Sequence, residues 1–544
     1  MKFNKNDLQE SKAFKILQKY WLYIVVATAM IVVAISSISI YREEVLEIDP
    51  DVNHVQQDTL YFAATSIDTL NPVVSSSEDT FYISKLIYNS LFDYTDDLNV
   101  QPELAESYEV NTDRAYVDIT LKDGVLWHDG TELTAGDVRF TVNAIKSYGS
   151  EGIYYEAVSK INSVTVQGDK TLRIYFRNNT DCSLDALTFP ILPEDQYSST
   201  RSLINTTDDF EPVGTGQYKF ASYDYLEALN LSPNEQYFGT KAANSITVNI
   251  LPDKSLASNM MEINNVTCYI DDTTERKSLV ADKGFQMYDI VSNDVDFIVF
   301  NTSAEILSTK EMRQALCYAI DRDEVLNDGY MGDGVITDTI YYPNFLGVSD
   351  TGDVYSYDRD KAIELMAEQG YEDSDLNGKL ENGDGEEVSL NILVNSDNAN
   401  RLAAARIIED NLESAGFSVT ITSADWEEYT DLIERGEFDI LVTGYEIEAS
   451  YDLRGFFDGT NPWNYTNNDI LQLVNELDRL HTSQEYTAAY ETIKEALIDE
   501  TPYYSLCYRK MGLVGLSTFE ADQLPMFNDI YRNCNTWSWS IQEG

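Results

Sequence analysis

Hydrophobic and polar positions divide the chain into three stretches of different period. Residues 21–41 carry no charged side chain, and about 20 residues rising ~1.5 Å each cross the roughly 30 Å hydrocarbon layer of a bilayer. This run predicts one N-terminal transmembrane helix. Lysines stand at positions 2, 5, 12, 15 and 19 before it, whereas Arg42 is followed at once by Glu43 and Glu44. The positive-inside bias therefore places residues 1–20 in the cytoplasm and everything after residue 42 outside, on a single-pass anchor in the cell membrane. A cleaved signal is the competing reading, with small residues Ala34 and Ser36 at cleavage-site spacing. Its apolar region is longer than the roughly 7 to 15 residues usual for such signals. Residues 42–57, acidic and polar, read as a spacer.

Beyond the spacer the period shortens. Residues 58–65 are apolar and β-rich, 67–72 read as a strand leaving into a turn, and 84–92 follow helical spacing. Alternating runs at 108–111, 116–122, 163–167 and 172–176 predict antiparallel strands. From residue 309 helical and extended periods alternate. Helices are predicted over 310–319 and 359–369, then strand 388–394, helix 401–415, strand 418–423, helix 426–435, strand 438–443 and helices 469–480 and 484–497. Such alternation predicts an α/β body with a largely parallel sheet, preceded by a β-rich part. A chain of 544 residues exceeds the size of one growing core, so two or three lobes are expected.

Composition removes several functions. The 93 acidic against 37 basic residues give a net charge of −56, a field that repels phosphate backbones and excludes nucleic acid as a partner. Cys182, Cys268, Cys317, Cys507 and Cys534 form no C-x-x-C pair, and His54, His128 and His481 lack the H-E-x-x-H spacing, so neither a zinc site nor a dense disulfide framework is indicated. No G-x-S-x-G elbow is present, which leaves an extracellular hydrolase as a remote alternative with no catalytic residue to name.

One stretch has metal-ligand spacing. Residues 373–384, DSDLNGKLENGD, put Asp373, Asp375, Asn377, Glu381 and Asp384 at positions 1, 3, 5, 9 and 12 with Gly378 at 6, as an EF-hand loop does. The last position is Asp instead of Glu, and the segment lies between a helix and a strand. Two readings stand, a structural Ca²⁺ site and a polar turn without metal. No other cofactor is indicated.

Residues 121–140, LKDGVLWHDGTELTAGDVRF, combine two Asp-Gly turns that call for positive φ, an apolar anchor in Trp127, and a helix near Ala135 that Thr134 and Asp137 can cap. Gly214 and Gly216 read as a crossing that needs unusual backbone angles. No Lys-Ser/Thr follows them, so a phosphate-cradling loop is excluded.

Around this stretch, in order, stand Asn71-Pro72, LFDY at 91–94, PELAESY at 102–108, PVGTGQYKF at 212–220, FNT at 300–302, RQALCYAIDR at 313–322, GEFDI at 436–440 and TPYYSL at 501–506. Together they resemble the peptide- and nickel-type (family 5) extracellular solute-binding proteins of ABC importers, over residues 58–540. The resemblance implies a two-lobed clamp of the periplasmic-binding-protein type, class II. Lobe I would comprise 58–85, 208–302 and 510–544, an added subdomain 86–207, and lobe II 303–509. It also implies a monomer that captures peptides, oligopeptides first, and delivers them to ABC permease subunits. A nickel-chelate, haem or a sugar is the alternative solute.

Ligands of open α/β sheets bind outside the carboxyl ends of strands, which points to residues 444–452 after strand 438–443. The resemblance implies that an acid following Gly444-Tyr445 receives the peptide's α-ammonium. Glu448 falls at that place, with Glu446 and Asp452 close by. Asn395 and Ser396 stand where dipeptide binders carry an Arg for the peptide carboxylate, and this departure favours longer peptides held through backbone hydrogen bonds.

If residues 21–41 are an anchor, the full chain will partition into membranes with its N-terminus protected from external protease. Mature protein beginning near Ser37 in the medium would show cleavage instead.

Overall fold

Two long strands, Gln286–Phe300 and Tyr503–Gly515, pair antiparallel through the middle of the main sheet. They come from a computed structural model that describes residues 58–178, 183–206, 210–449, 452–477, 479–480 and 482–540. The predicted cytoplasmic segment, membrane helix and spacer, together with Cys182, His481, Ser450 and Tyr451, lie outside the described residues. Among the described residues no helix is long and apolar enough to cross a membrane.

The main sheet runs, in spatial order, Cys268–Asp271, Tyr503–Gly515, Gln286–Phe300, Ile440–Glu446, Ser389–Asn395 and Ser418–Ala424. Parallel pairing in this sheet is confined to Ser389–Asn395 and its two neighbours, Ser418–Ala424 and Ile440–Glu446. The sheet is therefore mixed and not largely parallel. Parallel pairing needs a crossover of a dozen or more residues, which helices Ala399–Ser414 and Trp426–Glu434 supply between these three strands. The two long strands carry the chain into and out of this region and pair without one. Helices Lys310–Ala319, Arg359–Glu368 and Ala399–Ser414 pack their apolar sides onto the sheet, burying Leu316, Met366, Ile392, Ile408 and Ile440 in one core. All the helices predicted after residue 309 form, with ends shifted by a few residues.

Two smaller sheets precede this one. Thr59–Ala64 pairs parallel with Ser245–Ile250, followed by Ala228–Pro233 and Tyr218–Asp224. Ala105–Asn111, Tyr116–Leu121, Thr171–Phe176 and Ile161–Val166 form an antiparallel sheet, in agreement with their alternating pattern. The predicted helix at 84–92 instead spans Glu78–Ile87. Ser77 caps it by accepting from the Thr80 N–H, and Glu78 and Asp79 fill its first turn, so capping and the helix dipole start it earlier than the apolar period alone suggests.

The residues that carry the family resemblance are mostly structural. Gly124 and Gly130 take φ of 71° and 90°, as Asp-Gly turns require. The Asp137 carboxylate accepts from the Thr134 N–H at 2.8 Å and from the Glu194 N–H at 2.7 Å, tying the helix start Ala135–Tyr148 to the next connection. Arg322 donates to the carbonyls of Thr337, Ser505, Gly352 and Val354. Arg313 donates to Glu500 and Thr501 O, where helix Ser483–Glu500 would otherwise leave orphan carbonyls.

Gly214 and Gly216 are needed for a reason other than the expected one. Neither has positive φ. A Cβ on Gly214 would lie 1.8 Å from the carbonyl oxygen of Ile87, and one on Gly216 2.4 Å from its carbonyl carbon. Backbone here approaches backbone. His128 holds the pair, its Nδ1 accepting from the Gly214 N–H at 3.2 Å while Nε2 faces Gly216 O at 3.1 Å. This arrangement suits the neutral ring, and burial lowers the His128 pKa to about 4.

Gly214→Ala is therefore expected to lower stability by more than about 3 kcal/mol, because the clash is with backbone that cannot rotate away. Gly124→Ala, with open space around it, should cost only the left-handed strain of about 1–2 kcal/mol. Thermal unfolding of the two variants decides; equal losses would refute the close-approach account.

Candidate ligand-binding site

The long strands cannot keep one register along their whole length. Val291 pairs with Lys510 and Val295 with Tyr508, so Ser292, Asn293 and Asp294 are left without a partner in Tyr503–Gly515. A bulge of this kind bends the strand and re-aims side chains. Asn293 uses its freedom to bond Ile447, accepting its N–H at 2.9 Å and donating from Nδ2 to its carbonyl at 3.0 Å.

A cavity of about 610 Å³ opens at this break. Its walls come from the end of strand Thr59–Ala64, the start of helix Glu78–Ile87, strand Cys268–Asp271, the out-of-register triplet and the end of strand Ile440–Glu446. Phe62, Tyr269, Phe527, Tyr531 and Trp537 form an aromatic wall, with Phe62 stacked on Tyr531 at 4.7 Å. Among the described residues the charged lining is Glu78, Asp79, Asp272, Asp294 and Glu446 against Lys254.

These acids differ in how far they are already engaged. Asp79 accepts the N–H groups of Thr65 and Ser66 at 2.7 and 2.9 Å. Asp294 pairs with Arg509 at 2.8 Å, while among the described residues Glu446 accepts only a long 3.3 Å bond from Asn293 Nδ2. Register places Glu446 directly opposite Asp294 on the neighbouring strand, and like charges so placed repel. Burial raises the Asp294 pKa above the usual carboxylate range, and Glu446 and Asp296 push it the same way against Arg509.

Next along the pairing, Asp296 faces Gly444. Asp296 is fully buried and paired with Arg401 at 2.7 Å. A Cβ on Gly444 would lie 1.9 Å from Arg401 Nη2 and 2.1 Å from Asp296 Oδ1. The glycine before Tyr445 thus makes room for a buried ion pair. Tyr445 is half-exposed and packs edge-on against Phe456 at 5.1 Å.

The predicted residues do not all gather here. Glu446 and Glu448 are both exposed, but Glu446 lines the cavity and Glu448 does not. Asp452 is held by Arg454 Nε at 2.7 Å, which lowers its pKa against the opposing effect of burial. It lines a separate cavity of about 100 Å³ with Ala449 and Lys160. Asn395 is buried at a strand end, its Oδ1 accepting the Asp397 N–H at 3.0 Å, and the Ser396 N–H donates to Ala424 O at 2.7 Å. Neither lines the cavity. Of the loop 373–384, Asp373, Asp375 and Glu381 come together, and Asp384 does not join them. Asp294, Glu78 and Asp272 were missed. The readable sign was the polar triplet Ser292-Asn293-Asp294 inside an otherwise β-rich run.

Comparison with known proteins identifies the family. A family model described as bacterial extracellular solute-binding proteins, family 5 Middle, matches residues 99–464. The oligopeptide-binding protein AppA of Bacillus subtilis is 26% identical over 489 residues, covering 86% of this chain and 89% of AppA. Its structure with a nonapeptide shares the fold, with a TM-score of 0.55 at 23% identity over 89% of this chain and 99% of that one. The dipeptide-binding protein of Escherichia coli is 26% identical over 72% of this chain and 76% of its own. The nickel ABC transporter structure from Bacillus halodurans has a TM-score of 0.74 at 18% identity, covering 88% of this chain and all of that one. By its matched residues and its mixed α/β architecture with a β-rich subdomain, the chain belongs to the family 5 extracellular solute-binding proteins of ABC importers.

Proposed function

We propose that this protein captures peptides in the cavity at the break of the long strands and delivers them to an ABC permease. One observation carries the reading: Glu446 and Asp294 face each other across paired strands at the cavity wall, an arrangement that a bound ammonium relieves. A buried ammonium in turn needs a carboxylate partner. The aromatic wall supplies apolar area for side chains. The names of the curated relatives, oligopeptide-binding and dipeptide-binding, support the same solute class.

In this reading Glu446 is the acceptor of the α-ammonium, and Glu448, two residues on and outside the lining, is the control position. The out-of-register triplet is the hinge, about which two lobes close over the peptide, so that docking at the permease senses a filled site. The N-terminal apolar segment keeps the body close to the membrane.

A diverse peptide library is expected to raise the melting temperature, since a ligand at a hundred times its Kd stabilises the native state by about 2.7 kcal/mol. A shift with nickel–histidine, haem or an oligosaccharide, and none with peptides, would overturn the peptide assignment.

Glu446→Gln should weaken binding of a free peptide by about 2–5 kcal/mol if the pair is desolvated, and should barely change binding of its N-acetylated form. Asp452→Asn, whose carboxylate is already held by Arg454, should bind as the wild type does. Equal affinity of wild type and Glu446→Gln, measured by calorimetry, would move the role to Glu448, where the same substitution tests it. Affinity for free peptides should also fall as the medium is acidified. Asp294, with its raised pKa, is protonated before an ordinary carboxylate and then no longer offsets the ammonium.

A further inference from the structure

The connection between helix Arg359–Glu368 and strand Ser389–Asn395 folds back on itself. Glu372 and Glu381 exchange both backbone hydrogen bonds, at 3.1 and 2.9 Å, and the Leu380 N–H donates to Gly416 O at 2.8 Å. Between these arms the chain curls around its own acids. Asp373 accepts the Asn377 N–H at 3.0 Å with one oxygen and the Gly378 N–H at 2.9 Å with the other. The curl needs Gly378, which takes φ of 88°.

This winding brings one carboxylate oxygen each from Asp373, Asp375 and Glu381 within 4.8 Å of the other two. The only basic side chain between residues 372 and 388 is Lys379, and it turns away to donate to Phe417 O at 2.8 Å. Mutual repulsion is thus left without a local counter-charge.

A second observation is independent of the clustering. Glu381 is only 6% exposed. One of its oxygens accepts the Ser374 N–H at 2.7 Å, and the other, Oε1, is buried with no hydrogen-bond partner among the described residues. A buried carboxylate oxygen without a donor is strongly unfavourable unless a cation meets it.

We propose that Asp373, Asp375 and Glu381 bind a Ca²⁺ ion. All the ligand atoms are carboxylate oxygens, which suits a hard cation, and their spread fits the roughly 5 Å that separates opposite ligands at Ca–O distances of about 2.3–2.6 Å. The site differs from an EF-hand. Asp384, at the twelfth position, belongs to the following turn, where its N–H donates to Asn382 Oδ1 at 3.0 Å. The buried acid at the ninth position, Glu381, completes the set instead. Asn377 supports the loop from within, donating from Nδ2 to Asp375 at 3.2 Å while its Oδ1 accepts the Lys379 N–H at 2.7 Å. The ion braces the entry to strand Ser389–Asn395, which lies between two parallel neighbours. None of these residues lines the large cavity, so the ion acts on stability and not on solute affinity.

The test uses the full chain after chelator treatment, with CaCl₂ and MgCl₂ titrated separately while thermal unfolding is followed. Calcium should raise the melting temperature with a midpoint on the order of 10⁻⁴ to 10⁻³ M, as in extracellular calcium modules, and magnesium at equal concentration should not. Terbium luminescence sensitised through Tyr371 should be displaced by calcium. Asp375→Asn, at an exposed position, should fold and shift the calcium midpoint at least tenfold. Glu381→Gln should melt higher than calcium-free wild type and lose the calcium response. No calcium-dependent shift in the wild type, an equal shift with magnesium, or an unchanged midpoint in Asp375→Asn would each overturn the proposal.

Discussion

Everything that positions the cavity depends on the loss of register between Gln286–Phe300 and Tyr503–Gly515. Long antiparallel strands accumulate twist, and a bulge releases it by bending one of them. Before the break the pair borders Cys268–Asp271; after it, Gln286–Phe300 borders Ile440–Glu446. One pair of strands therefore serves two different neighbourhoods, and the residues at the break are free to bond elsewhere. The Ser292 hydroxyl donates to Arg509 O, while Asn293 bonds Ile447 with both its side-chain amide and its backbone carbonyl, which fixes where the adjoining strand ends and hence where Glu446 points.

The buried cations divide between scaffold and site by what they touch. Arg322 spends its guanidinium on four carbonyls and stacks on Tyr504 at 4.5 Å. Such a planar fork joins segments distant in sequence in a way that a lysine cannot reproduce. Arg401 instead meets Asp296 and forces the glycine at 444. The resemblance motifs RQALCYAIDR and Gly444-Tyr445 are thus traces of internal packing, one step removed from any ligand.

Legibility followed the strength of the period. The two central strands between Ala105 and Phe176, Tyr116–Leu121 and Thr171–Phe176, alternate cleanly because one face is buried and the other is wet, and the pattern finds them together with their mostly exposed edge neighbours. Gln286–Phe300 is half-exposed in its first half and continuously buried in its last six residues, so it shows no single period and no strand was expected there. That omission also made the sheet look parallel. Glycine chemistry was legible as a need for glycine at 214 and 216 but not as its cause, because close backbone approach leaves no sign in local sequence. Within the site, Glu446 was named and Asp294 was not. Their opposition is a matter of register between segments about 150 residues apart, which only the fold reveals.

With 93 acidic residues in the chain, the presence of a carboxylate discriminates nothing, and the informative quantity is how each one is held. Most are solvated, and salt at physiological strength screens them beyond about 8 Å. Asp79 and Asp452 are anchored by hydrogen bonds or an arginine and have little left to offer a ligand. Two of the places described above depart from this. Asp294 has Arg509 as a partner, but register sets Glu446, held by one long hydrogen bond, face to face with it beside an aromatic wall, and at Glu381 a buried oxygen accepts nothing. In both, the fold holds negative charge together against repulsion that a mobile surface would relax. An organic ammonium suits the first, which is wide and partly apolar. A bare hard cation suits the second, which is narrow and made only of oxygen.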